Sequence, residues 1–106
     1  MACSVIPVEH EFKAIGSISG NSERTFGFAG STQHLCILSG AYTGLHAMFL
    51  LTCDSSGTAN ISTIFKANTV TLTGGTNTLT VKTTTSGTAT LYDMPIASGM
   101  AYMTAT

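Results

Sequence analysis

The sequence predicts an all-β fold, an antiparallel β-sandwich of eight to nine short strands in one domain covering residues 1–106. Three observations predict it. Apolar and polar residues alternate with a period of two, in short runs separated by turn residues. No helix-length window keeps apolar side chains at i, i+3, i+4 and i+7 without Gly or a Thr/Ser run breaking it. Between Thr69 and Thr90, 11 of 22 residues are threonine and the only charge is Lys82, a composition suited to extended backbone because the branched β-carbon favours it.

The elements follow in chain order. Residues 1–10, MACSVIPVEH, are expected to form an extended N-terminal arm. Strands are predicted over Phe12–Ile18, Arg24–Phe28, His34–Leu38, Leu45–Cys53, Ala59–Lys66, Thr69–Thr73, Thr78–Thr83 and Thr88–Met94, with a ninth over Met100–Thr104. Turn residues punctuate them: SGN at 19–21, GS at 30–31, SG at 39–40, SSG at 55–57, GGTN at 74–77 and SG at 86–87. In the threonine-rich stretch, Val70, Leu72, Leu79 and Val81 share one face, and Thr71, Thr73, Thr78 and Thr80 share the other. This reads as a hairpin turning at Gly74-Gly75, aliphatic inside and hydroxylated outside.

The segment GLHAMFLLTC breaks that rule. Leu45, Ala47, Phe49 and Leu51 form one face; His46, Met48, Leu50 and Thr52 form the other. A half-exposed antiparallel strand carries polar residues on its wet side, and this one is apolar on both. The second face is therefore expected to be covered. A neighbouring subunit is the favoured cover, with His46, Met48 and Leu50 at the oligomer interface; a loop of the same chain is the alternative.

Charge points the same way. Charged residues make up 8% of the chain, and none occurs among the 29 positions from Thr25 to Cys53, whereas about a quarter of an average soluble chain is charged. Four basic residues against five acidic ones give a net charge of −1, with no basic patch for nucleic acid. The start lacks the basic and apolar regions of a secretory signal, and the longest run of large apolar residues, Met48–Leu51, is too short to insert in a membrane. Synthesis in the cytoplasm is expected.

Catalytic and metal-binding patterns are absent from the sequence. His34-x-Cys36, His46 and Cys53 lack zinc-ligand spacing, and no cofactor is predicted. Glu9, Glu11, Glu23, Asp54 and Asp93 show no paired spacing for acid–base work. Cys36 and Cys53 sit among aliphatic residues, which suits inert core thiols rather than nucleophiles; a Cys36–Cys53 disulfide is the alternative, and Cys3 is left over either way. The Asn60-Ile61-Ser62 sequon falls inside a predicted strand. The chain is therefore not expected to be an enzyme. Tyr42, flanked by small residues in SGAYTG, is the candidate ligand-binding residue, because an exposed ring can stack on a sugar; packing back onto the sandwich end is its alternative role.

The run SSGTANISTIFKANTVTLTGGTNTLTVKTTTSGTATLYDM, with GSISGNSERTFGFAG before it, resembles the C-terminal receptor-binding heads of bacteriophage tail fibres. The resemblance spans about Ile15 to Met94 and rests on patterning. It implies a jelly-roll-like homotrimer located in the virion, engaged with other virion proteins and with a saccharide or protein on the host surface. It carries over no ligand-contacting residue. The chain would be either an excised head or a free-standing small protein. Two other functions fit the sequence: a purely structural virion component, such as a capsid-decoration or tail protein, and a cellular carbohydrate-binding or adhesin domain.

Overall fold

A computed structural model describes residues 11–96 and 101–106. The expected N-terminal arm, Cys3, Glu9 and the start of the predicted ninth strand lie outside the described residues. Among the described residues nine strands are present: β1 (Lys13–Ser19), β2 (Glu23–Gly27), β3 (Thr32–Gly40), β4 (Ala47–Cys53), β5 (Ala59–Lys66), β6 (Val70–Gly75), β7 (Thr78–Thr83), β8 (Thr88–Pro95) and β9 (Thr104–Ala105). They form a five-stranded sheet in the order β1-β8-β3-β4-β5 and a four-stranded sheet in the order β6-β7-β2-β9. Every pairing is antiparallel. β1 against β8 and β2 against β7 nest the two halves of the chain as a jelly roll does, while β3, β4 and β5 run as a meander.

The fold is thus the all-β sandwich that alternation predicts, with Ala59–Lys66 and Thr78–Thr83 bounded as expected. Two local readings need correction. Leu45 does not open β4; it is buried in a 3-10 turn, Thr43–Leu45, and the strand begins at Ala47. The hairpin does not turn at Gly74-Gly75, which continue β6 opposite Leu79 and Thr78. It turns at Thr76-Asn77, where Asn77 takes a positive φ of 55°, a conformation asparagine tolerates better than most residues. Asn77 then ties neighbouring loops together: its N–H donates to Gly57 O at 2.9 Å, and its side-chain amide donates to Phe28 O at 3.1 Å.

The core lies between the sheets. Ile18, Leu38, Phe49, Leu51 and Leu91 from the larger sheet meet Phe26, Val70, Leu79 and Val81 from the smaller, all essentially inaccessible to solvent. Each such side chain contributes roughly 1.5–3 kcal/mol on burial. Met103, also buried, brings the C-terminal segment into this core just before β9.

At one edge of the larger sheet, β5 is bulged opposite Met48/Phe49. Ile64 and Phe65 there are 61% and 49% exposed.

Candidate functional site

Two features of the larger sheet stand out, one on each of its faces. On the outer face, register alignment puts apolar residues in two rows. Met94, Leu35 and Leu50 form one row across β8, β3 and β4. Tyr92, Ile37, Met48 and Phe65 form the other, reaching β5. All are half-buried except Phe65. The remaining outward residues of these four strands are uncharged, for example Gln33, Ser39, Thr52 and Ser62. Among the described residues, Met48 and Leu50 therefore sit in the middle of an apolar surface. His46 does not share it as a free side chain, because its Nε2 hydrogen-bonds Gly40 O at 3.0 Å.

Beneath the same strands lies a sealed polar cluster. His34 and Asp93 are both fully buried, with His34 Nδ1 donating to Asp93 Oδ1 at 2.9 Å and approaching Oδ2 at 3.1 Å. On the other side of the ring, Nε2 lies 3.0 Å from Thr32 Oγ1, which donates to Ala29 O at 2.7 Å. Asp93 Oδ2 also accepts the backbone N–H of Met103 at 2.8 Å. The carboxylate thus links β3, β8 and the segment leading into β9. Burying these groups is tolerable only because each finds partners.

The heavy-atom order Asp93–His34–Thr32 is that of an acid–base–nucleophile relay, but the single Thr32 hydroxyl proton goes to Ala29 O and not to the ring. A relay of that kind needs an opening through which a substrate reaches the hydroxyl. No pocket opens among the described residues, and Thr32 is 6% exposed. Cys36 joins the cluster at its margin, with Sγ 4.0 Å from Asp93 Oδ1. Burial, followed by the nearby Asp93 charge, pushes this thiol far above the ordinary thiol range, which keeps it protonated and unreactive. Cys36 and Cys53 are free thiols. Cys53 is also shifted upward, by burial and the Asp54 charge, against a hydrogen bond from the Ser31 backbone.

Tyr42 stands at the sandwich end, 56% exposed. One edge of its ring rests over Gly87, where a Cβ would come within 2.9 Å of the ring and where φ is +105°. Glycine meets both demands. The ring therefore packs partly on its own chain and partly faces solvent.

In the β4–β5 loop, Asp54 organises a turn. Its Oδ1 accepts from the Ser56 hydroxyl at 2.6 Å and from the N–H groups of Ser56 and Thr58 at 3.0 Å. These bonds, led by the Ser56 hydroxyl, hold its carboxyl below the usual range.

Among the described residues, no group of three His, Cys, Asp or Glu side chains is placed to hold a metal ion, and no helix is long and apolar enough to cross a membrane. Comparison with protein-family models, with curated proteins and with solved structures gives no match to this chain.

Sequence reasoning missed the His34–Asp93 pair. The two residues are 59 positions apart, and neither carries a motif. One signal was present: His34 and Cys36 share a strand face with Leu38, and a polar residue in phase with a core leucine needs a buried partner.

Proposed function

We propose that this chain is a non-catalytic attachment module of a virion, working as an assembly of several copies and presenting its loop end to a saccharide or protein on a host surface. The observation that carries the reading is the outer face of the larger sheet. Its two apolar rows bear no charged side chain, and contiguous apolar surface of this kind marks an interaction site. Multiplying copies suits weak surface recognition, since linked sites gain avidity by roughly 10²–10⁴ without new contacts. Tyr42 is the side chain best placed for the host contact. It is exposed on one side and braced against Gly87 on the other, so ordering it on binding costs little entropy.

The test is binding of the purified chain to a glycan array and to a panel of bacterial cells, alongside Tyr42→Ala. Saturable binding that falls at least tenfold in the variant supports attachment through this residue. An intact oligomer that binds neither array nor cells supports the purely structural virion role instead.

A further inference from the structure

We infer that the partner covering the outer face of the larger sheet is a second copy of the same face, related by a twofold axis, which makes the protein an isologous dimer rather than a threefold ring. The inference rests on the self-association in the proposed function and adds the occupant, its residues and the symmetry.

Three observations carry it. The first is the absence of charge. Leu35, Ile37, Met48, Leu50, Tyr92 and Met94 occupy the centre of the face, and the outward positions around them on β8, β3, β4 and β5 are uncharged. A basic protein, a nucleic acid or an anionic membrane finds nothing ionic to match there. Another neutral, apolar surface does, and this chain supplies one.

The second is the count of such faces. A closed ring of three needs two different complementary patches on each copy, whereas a twofold dimer needs one patch that complements itself. The outer face of the smaller sheet cannot serve as the second patch. It presents Thr71, Thr73, Thr78, Thr80 and Thr25, with Glu23 directly opposite Lys82. The described strands therefore offer one apolar sheet face.

The third is self-complementarity in register and area. Take a twofold axis lying in the interface and running between β3 and β4. It lays Leu35 over Leu50 of the second copy, Ile37 over its Met48, and Tyr92 over its Phe65, because these positions share rows across the sheet. Phe65, 49% exposed in the single chain, gains an aromatic neighbour. Four strands by about four outward residues, at about 4.8 by 6.8 Å each, span roughly 500 Å² per copy. The pair covers roughly 1,000 Å², the size at which specific interfaces begin.

Sedimentation and native mass spectrometry of the full chain at tens of micromolar test this. The expected species is a dimer of about 22 kDa, twice the 10.9 kDa of one chain. Ile37→Lys, at the centre of the face, is expected to weaken the dimer at least a hundredfold, while Thr80→Lys on the opposite sheet leaves it intact. A third variant keeps the idea testable if Ile37→Lys fails to fold. With Tyr92→Cys and Phe65→Cys together, a short bis-maleimide is expected to trap a covalent dimer absent from the wild type, because facing positions of two stacked sheets lie about 10 Å apart, within the linker's reach but too far for a direct disulfide. Within one chain these positions are three strands apart with their side chains parallel, roughly 14 Å, so the short linker joins two copies and not one chain to itself. A trimer overturns the twofold arrangement and leaves the multi-copy reading standing. A monomer overturns both, whereas a dimer that survives Ile37→Lys with no cross-link in the double variant overturns the assignment to this face and leaves the multi-copy reading standing.

Discussion

The β6–β7 hairpin and the β3–β8 pair are built from the same alternation, yet they use it in opposite senses. In the hairpin, Val70, Leu79 and Val81 face the core and Thr71, Thr73 and Thr80 face water. Along one half of β3 and β8 the order is inverted: Thr32, His34, Cys36 and Asp93 point inward while Leu35, Ile37, Tyr92 and Met94 point outward, although Leu38 and Leu91 further along still face the core. A one-residue change of phase exchanges the two faces of any strand, so the inversion is a choice of register. The hairpin needs nothing beyond its own sandwich. The β3–β8 pair carries a complete hydrogen-bond network on one side and, in the proposed assembly, a cover on the other.

The inverted half should therefore break first and hardest. His34→Ala leaves the Asp93 carboxylate buried without its imidazole, and removing one member of a buried pair costs about 3–5 kcal/mol. Urea unfolding should show that loss as a lower midpoint at unchanged slope. Asp93→Ala should cost as much and in addition free the segment at Met103, whose N–H loses its acceptor; faster amide exchange in residues 101–106 checks it. Replacing both residues at once by apolar ones (His34→Leu with Asp93→Leu) sharpens the point. If the network exists for specificity rather than strength, the double variant should recover most of the loss.

The threonine hairpin was legible in the sequence for a physical reason. A strand with one dry face and one wet face writes its register in its residue types, so alternation alone names the inward set around Val70 and Leu79. β3 does not write its register that way. HLCIL and LYDMP offer two apolar phases, and what selects between them is the fit of His34 to Asp93 across two strands distant in sequence. The doubly apolar character of Met48–Leu51 was visible. That β3 and β8 extend the same surface was not, because it depends on strand order. Loop details such as the turn at Asn77 depend on single-residue backbone geometry and were equally hidden.

A titration sharpens the contrast further. Cys36 lies on the inverted side, and its folded-state thiol is shifted upward by burial. The stabilisation linked to its proton is therefore complete below the ordinary thiol range and is lost as pH rises above it, toward the folded value. Unfolding free energy should fall above about pH 8.5 with a slope approaching 1.4 kcal/mol per pH unit, and Cys36→Ala should remove that contribution. Native protein should also resist alkylation at Cys36, as read by peptide mass mapping. Rapid labelling would mean that the inward side of β3 is open to solvent.

On the hairpin side the corresponding effects are local. Asn77→Ala removes the amide bond to Phe28 O and leaves a β-carbon-bearing residue at φ 55° without a compensating side chain. The loss of one buried-end hydrogen bond plus left-handed strain sums to roughly 1–3 kcal/mol. Asn77→Gly, which keeps the backbone relaxed, should cost less than Asn77→Ala. An equal cost would show that the side-chain bond, and not the backbone, accounts for asparagine here.

The smallest effect belongs to the wet face of the hairpin. Thr80 Oγ1 and Thr25 Oγ1 are 3.1 Å apart across β7 and β2, a pairing worth roughly 0.2–1 kcal/mol. Thr80→Val keeps the branched β-carbon that favours the strand and discards only the hydroxyl, so the change in stability should stay within about 0.5 kcal/mol. The informative comparison is Ile37→Thr, an equally conservative exchange on the outer face of the other sheet. In a lone sandwich both faces meet water, and the two substitutions should be equally mild. If the face around Ile37 is covered, Ile37→Thr should lower the thermal midpoint with a dependence on protein concentration that Thr80→Val lacks, since stability that comes from association follows mass action.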